Sequence, residues 1–189
     1  MKLEDLKNRC DIGNVLKAMG LNGQGAEVGV AFGENAEMIL EHSGLEKLFL
    51  IDPWGYVEGQ ACVGYGDAIK DWDGCYEFCI KKLGRFEGRF DVIRKPSAEG
   101  SLRFQDGSLD FVYIDANHMS PNIDEDLSLW FPKVRSGGII GGHDYYTLDA
   151  AYYRCDVEKA VSGFFSRSNL AVHLLPREDS SWYVIKTGG

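Results

Sequence analysis

Two short runs in this 189-residue chain pair an imidazole with a carboxylate: Asp115-Ala116-Asn117-His118 and His143-Asp144-Tyr145. A histidine needs little tuning to move protons near neutral pH, and a neighbouring carboxylate can orient it. Asp115, His118 and His143 are therefore the candidates for a general base, with His143 or Asp115 favoured. Upstream, Glu27-Val28-Gly29-Val30-Ala31-Phe32-Gly33 sets a carboxylate beside two glycines, and Asp52 follows. Glycines in such a turn let the backbone approach a ligand, and an acid about twenty residues further on can accept both hydroxyls of a ribose. Gly29, Gly33 and Asp52 thus supply what is needed to cradle an adenosine.

The spacing narrows the choice of nucleotide. A dinucleotide fingerprint needs glycine at three positions, and counting from Gly29 the other two are Ala31 and Glu34. A pyrophosphate would meet Glu34, which disfavours a nicotinamide oxidoreductase. No Gly-Lys-Ser or Gly-Lys-Thr follows the turn, so a phosphate-binding P-loop is absent as well. What fits is a nucleoside with little or no phosphate, and Glu27 suits a cationic group on it.

Strands must deliver these residues. Brief apolar runs at Ala26 to Val30, Lys47 to Asp52, Arg89 to Arg94, Leu109 to Asp115 and Gly138 to Gly142 read as strands. Helical spacing follows Gly33 and recurs over Ile69 to Leu83, Ser97 to Phe104, Asp124 to Phe131 and Val157 to Phe165. Leu170 to Leu175 and Trp182 to Lys186 close the chain as a hairpin-like pair of strands. Strands alternating with helices specify an α/β fold with a mostly parallel sheet covered on both faces. In such sheets ligands bind beyond the carboxyl ends of the strands, where Gly29, Asp52, Asp115 and His143 all fall.

Composition excludes several classes. Twenty-nine acids against twenty Lys and Arg give a net charge of −9, which argues against bulk nucleic-acid binding. No stretch approaches the roughly 18 apolar residues of a membrane span, and the N-terminus lacks the pattern of a signal peptide. A cytoplasmic protein is expected. The five cysteines, Cys10, Cys62, Cys75, Cys79 and Cys155, have no zinc-ribbon spacing and read as small hydrophobes. The basic stretch from Lys81 to Lys95 reads as a solvated face, and His42 and His173 as structural. Trp54, Tyr56 and Tyr65 form either a lid or a cover for the sheet edge. Leu3 to Met19 carries helical spacing that closes at Gly20. Residues 1–25 are read as a helical segment serving as a lid or a homodimer contact, ahead of a single domain over 26–189.

The run from Glu27 to Gly33 resembles the first motif of class I S-adenosylmethionine-dependent methyltransferases, and Asp52 matches their ribose-binding acid. Leu109 to His118, Asp126, Trp130, Pro132, Gly137-Gly138 and Gly142-His143-Asp144-Tyr145 resemble a bacterial subgroup akin to the sugar O-methyltransferases of macrolide biosynthesis. The resemblance implies a Rossmann-like, doubly wound sheet of seven strands whose last strand is antiparallel. It places Glu27, Gly29 and Gly33 at the methionine end of S-adenosylmethionine, Ser97 and Ala98 beside the adenine, and Asp115 facing the reacting methyl group. The implied reaction is O-methylation of a small-molecule or sugar-like acceptor; the alternative is a non-catalytic protein that binds S-adenosylmethionine or S-adenosylhomocysteine. Metal-dependent relatives hold magnesium or another divalent cation at the positions of Asp115 and Asp144. Tyr145 stands where a third oxygen ligand is often found, a departure from the pattern. Either a metal site or a mutually orienting Asp144 and His143 is compatible with these residues.

Overall fold

Alternating apolar residues build seven strands in the computed structural model, which describes residues 2–57, 69–146 and 155–188. They are β1 (Gln24–Val28), β2 (Lys47–Ile51), β3 (Phe90–Ile93), β4 (Leu109–Ile114), β5 (Val134–Gly142), β6 (Val172–Leu174) and β7 (Trp182–Ile185). Their order in the single sheet is β3-β2-β1-β4-β5-β7-β6. The first five pair in parallel, and β7 lies antiparallel between β5 and β6. This is the Rossmann-like α/β arrangement expected from the alternation of elements. Strand β5 starts earlier than its apolar run, at Val134, because a register shift against β4 absorbs three extra residues between Val134 and Ile139.

Six helices cover the two faces among the described residues: α1 (Ile12–Ala18), α2 (Glu34–His42), α3 (Trp72–Leu83), α4 (Ser97–Ser101), α5 (Asn122–Trp130) and α6 (Val157–Phe165). The period-2 alternation of the strands divides the core. Leu48, Leu50, Phe111, Tyr113 and Tyr183 face one cluster with α1, α2 and α3, whereas Ile51, Val112, Ile114, Trp182 and Val184 face the other with α5 and α6. Strand β4 is buried at all six positions, as a strand covered on both sides must be.

The N-terminal segment is not one helix. Two short 3-10 turns, Leu3–Asp5 and Arg9–Asp11, precede α1, with an extended Leu6 between them. Its apolar spacing is nonetheless used. Leu3, Leu6, Ile12, Val15, Leu16 and Leu21 are buried in the same cluster as Ile39, Leu40 and Leu48. Where Gly13 passes α2, an added Cβ would lie 2.8 Å from the Cβ of His42.

Of the cysteines, Cys75 and Cys79 are buried on one face of α3, and Cys10 is exposed with its Sγ 2.9 Å from Met38 Sδ. Cys62 and Tyr65 lie outside the described residues. The basic stretch is a solvated face with partners: Lys82 meets Glu34, Arg85 meets Glu37 and Glu41, and Arg94 meets Asp73. Arg89 instead donates to the carbonyls of Leu40, Ser43 and Leu45 at the end of α2. His42 is exposed in the last turn of α2, outside the core its neighbours suggest. No described helix is long and apolar enough to cross a membrane.

Candidate active site

Four of the five parallel strands each hand one residue to the same edge. Gly29 follows β1, Asp52 follows β2, Asp115 follows β4 and His143 follows β5. The sheet's hydrogen bonding continues through them: Gly29 N–H donates to Ile51 O (2.9 Å), Asp52 N–H to Ile93 O (3.4 Å), Asp115 N–H to Val28 O (2.7 Å) and His143 N–H to Ile114 O (3.1 Å). Four residues distant in sequence are thereby placed in one row. They line a cleft of about 970 Å³ together with Arg9, Glu27, Ser97, Ala98, His118, Asp126 and Asp144. The cleft opens between β1 and β4, where the strand order reverses and α/β sheets bind ligands.

The first turn is held from inside. Asp52 accepts hydrogen bonds at Oδ2 from the N–H groups of Val30 (2.9 Å) and Ala31 (3.0 Å), and at Oδ1 from that of Trp54 (2.6 Å). Trp54, 1% exposed, donates its indole N–H to Ala31 O at 2.9 Å. Trp54 is therefore neither a lid nor an edge cover but a brace beneath the turn, while Tyr56 is exposed. Ala31 and Trp54 adopt φ of 45° and 39°, a costly conformation for residues with a side chain, and one that clusters at functional sites.

The two glycines have different duties. Gly29, with φ of 83°, lies against the loop after β4, and an added Cβ would fall 2.1 Å from Asp115 O. Gly33, with φ of 76°, begins α2 and is turned toward Cys79 of α3, where a Cβ would lie 2.8 Å from Sγ. Gly33 does not line the cleft. Its positive φ serves the strand-to-helix turn, and its missing side chain serves helix packing.

Glu27 is 1% exposed, and its Oε1 accepts from Asn35 Nδ2 at 3.1 Å, whereas Oε2 has no partner. Burial pushes this carboxyl well above the ordinary carboxylate range, and the Asn35 hydrogen bond only partly opposes that. At the other end of the cleft, Ser97 donates to Asp126 and accepts from the Trp130 indole at 2.8 Å. Burial raises the Asp126 carboxyl to about 7.

His118 joins the two acidic loops. Its Nε2 stands 3.2 Å from Asp115 Oδ1 and 3.2 Å from Asp144 Oδ2. Burial opposes charge on this ring, but the hydrogen bond and charge of Asp115, with the charge of Asp144, outweigh it and raise its pKa. His143 Nδ1 stands 3.4 Å from Asp144 Oδ1. Its pKa is also raised, since Asp144 and Asp115 outweigh burial. Asp144 is correspondingly lowered: burial works against its charge, and the His143 hydrogen bond and the His118 charge prevail.

Ligand atoms of Asp115, His118 and Asp144 all lie within 4.8 Å of one another, a grouping able to hold a metal ion. Tyr145 does not join it, because its hydroxyl is engaged with Ser162 Oγ of α6 at 2.9 Å. The third donor is the His118 imidazole, a ligand type suited to a transition ion more than to magnesium.

Arg9 carried no signal in the sequence, where it is one of three basic residues, with Lys2 and Lys7, ahead of α1. The fold brings its guanidinium into the cleft, 3.9 Å from Asp115 Oδ2, while its backbone N–H donates to Asp179 Oδ2 at 2.7 Å. Asn35 was equally silent, being one polar residue in the first turn of α2.

A methyltransferase-domain family matches residues 26–145. The chain belongs to this family. The methyltransferase fold extends over nearly the whole chain in comparisons with solved structures. An O-methyltransferase family protein from Burkholderia thailandensis superposes with a TM-score of 0.66 at 12% identity, over 95% of this chain and 55% of that one. A methyltransferase from Geobacter sulfurreducens gives 0.64 at 11% identity, over 95% and 78%. Spermidine synthase from Thermotoga maritima gives 0.56 at 15% identity, over 97% and 61%. No curated protein matches the sequence. Membership in a methyltransferase family implies S-adenosylmethionine as methyl donor, and the cleft fits that molecule. The orphaned Glu27 Oε2 is an open buried acceptor in that cleft, which Asp52, Ser97 and Ala98 also line.

Proposed function

We propose that the protein transfers a methyl group from S-adenosylmethionine to an oxygen of a small-molecule acceptor, sugar-like compounds being the class to try first. The observation that carries this reading is the single cleft joining Glu27, Asp52, Ser97 and Ala98 to Asp115, His118 and His143. The cofactor supplies an electrophilic methyl group on a sulfonium. The chain's own residues have two tasks, holding donor and acceptor in line and removing the acceptor's proton.

Asp115 and Asp144 flank the acceptor end of the cleft. His143 is the proposed base, because Asp144 at its Nδ1 orients the ring and leaves Nε2 to face the acceptor. His118 bridges the two carboxylates through Nε2, tying the loops after β4 and β5 together. In a second reading, favoured by the convergence of their donor atoms, Asp115, His118 and Asp144 would hold a divalent ion, which would supply Lewis-acid assistance to loss of the acceptor's proton.

Calorimetric titration with S-adenosylmethionine and S-adenosylhomocysteine, with and without divalent metal, tests both readings. Micromolar binding of either ligand is the expected result, and absence of binding at millimolar concentration refutes the methyl-donor site. Turnover with a panel of hydroxylated acceptors then separates the enzyme from a protein that only binds the cofactor. Loss of turnover in chelator, restored by manganese or cobalt better than by magnesium, is the outcome the imidazole-containing ligand set requires.

A further inference from the structure

The methyl donor that the proposed function requires carries two cations and one anion: a sulfonium, an α-ammonium and an α-carboxylate. The cleft is poorly disposed toward the anion. Its described lining includes Glu27, Glu34, Asp52, Asp115, Glu125, Asp126 and Asp144, and Arg9 is the only lysine or arginine among the lining residues described. Four backbone amides of the first turn, the usual alternative, are already committed. Gly29 N–H donates to Ile51 O, Val30 and Ala31 N–H to Asp52 Oδ2, and Gly33 N–H to Val30 O.

Arg9 is available for a planar anion. The guanidinium shares a side-chain hydrogen bond with Tyr113 and stands 3.9 Å from Asp115 Oδ2, beyond hydrogen-bonding range, so N–H donors of its fork remain for a carboxylate. Its position is secured independently of the side chain, by the backbone bond to Asp179 and by the 3-10 turn Arg9–Asp11 that runs into α1. Across the same end of the cleft stands Glu27, almost wholly buried, with Oε2 unpartnered. A buried polar atom without a partner is costly unless a ligand satisfies it.

We infer that Arg9 binds the cofactor's α-carboxylate, opposite the Glu27 that the family resemblance already sets at the amino-acid end, so that the N-terminal segment completes the cofactor site. The inference rests on the methyl-donor reading of the cleft. It gives residues 1–25 a duty other than lid or dimer contact: the segment packs in the core and presents one cation that the family-matched region, residues 26–145, does not contain at this position.

Truncated ligands separate the two charges of the amino-acid end. Dissociation constants are measured by calorimetry for S-adenosylhomocysteine, its decarboxylated analogue and 5′-methylthioadenosine, against the full-length protein and its Arg9→Met and Glu27→Gln variants. Arg9→Met is expected to weaken S-adenosylhomocysteine by about 10- to 100-fold, the worth of a charge-assisted contact. The same variant leaves the other two ligands within about twofold of their wild-type affinity, given that neither carries the carboxylate whose bonds are lost. Glu27→Gln is expected to weaken both ligands that carry the ammonium and to spare 5′-methylthioadenosine, whose unchanged affinity also reports an intact adenosine end. Unchanged S-adenosylhomocysteine affinity in Arg9→Met overturns the assignment, and so does an equal loss for all three ligands. Failure of the wild-type protein to bind any of them sinks the methyl-donor reading itself.

Discussion

His143 and Asp126 show how one side chain's surroundings set its chemistry. His143 is oriented by Asp144 and is not needed to hold the cofactor in the proposed site, so His143→Gln is expected to lower kcat by about 10²–10⁴. S-adenosylhomocysteine affinity should stay unchanged in that variant, and a kcat within twofold of wild type would remove His143 from the role of base. Asp126 is buried against Ser97, with its carboxyl raised to about 7 from an ordinary value of 3.8. The folded protein binds this proton more tightly than the unfolded chain does. Its contribution to stability is therefore complete below pH 3.8 and is lost as pH rises through about 7. Asp126→Asn does not titrate, so urea midpoints of wild type and variant should diverge between about pH 4 and 7, with wild type losing ground as pH rises. Parallel midpoint curves would contradict the burial argument.

At the scale of elements, the row of Gly29, Asp52, Asp115 and His143 follows from parallel pairing. Once β1, β2, β4 and β5 are in register, the residue after each strand has no choice but to join the common edge. Gly29 is where this edge is tightest. Gly29→Ala would put a methyl group onto Asp115 O and force an alanine to φ of 83°. A loss of about 3 kcal/mol or more is expected, read as a lowered urea midpoint, together with weaker binding of S-adenosylhomocysteine because the loops after β1 and β4 must separate. An unchanged midpoint would show that the two loops can part without cost. The strands were legible because a strand buried on both faces must be nearly all apolar, as β4 is with Asp110 its one charged residue. The break in the N-terminal segment was not legible. Its apolar spacing is compatible with one helix, and only packing against α2 selects two turns and a short helix instead.

For the molecule as a whole, residues 1–25 share the core of the sheet. Leu16 is fully buried among Ile39, Leu40 and Leu48, so Leu16→Ala is expected to cost about 2–5 kcal/mol. A midpoint shift of that size in chemical unfolding would show that the N-terminal segment belongs to the cooperative unit, and a shift near zero would show that it docks as an appendage. The sequence by itself determined the α/β alternation, the acid and glycines after β1, Asp52, and the two histidine-carboxylate loops, because each is a local pattern at the end of an apolar run. Tertiary structure alone decided that Gly33 serves helix packing, that Trp54 braces the turn, that Tyr145 turns to Ser162 while His118 bridges Asp115 and Asp144, and that Arg9 enters the cleft. Those outcomes depend on which elements become neighbours after folding. Spacing along a chain carries the periodicity of a strand or a helix, but it carries no distance between segments a hundred residues apart.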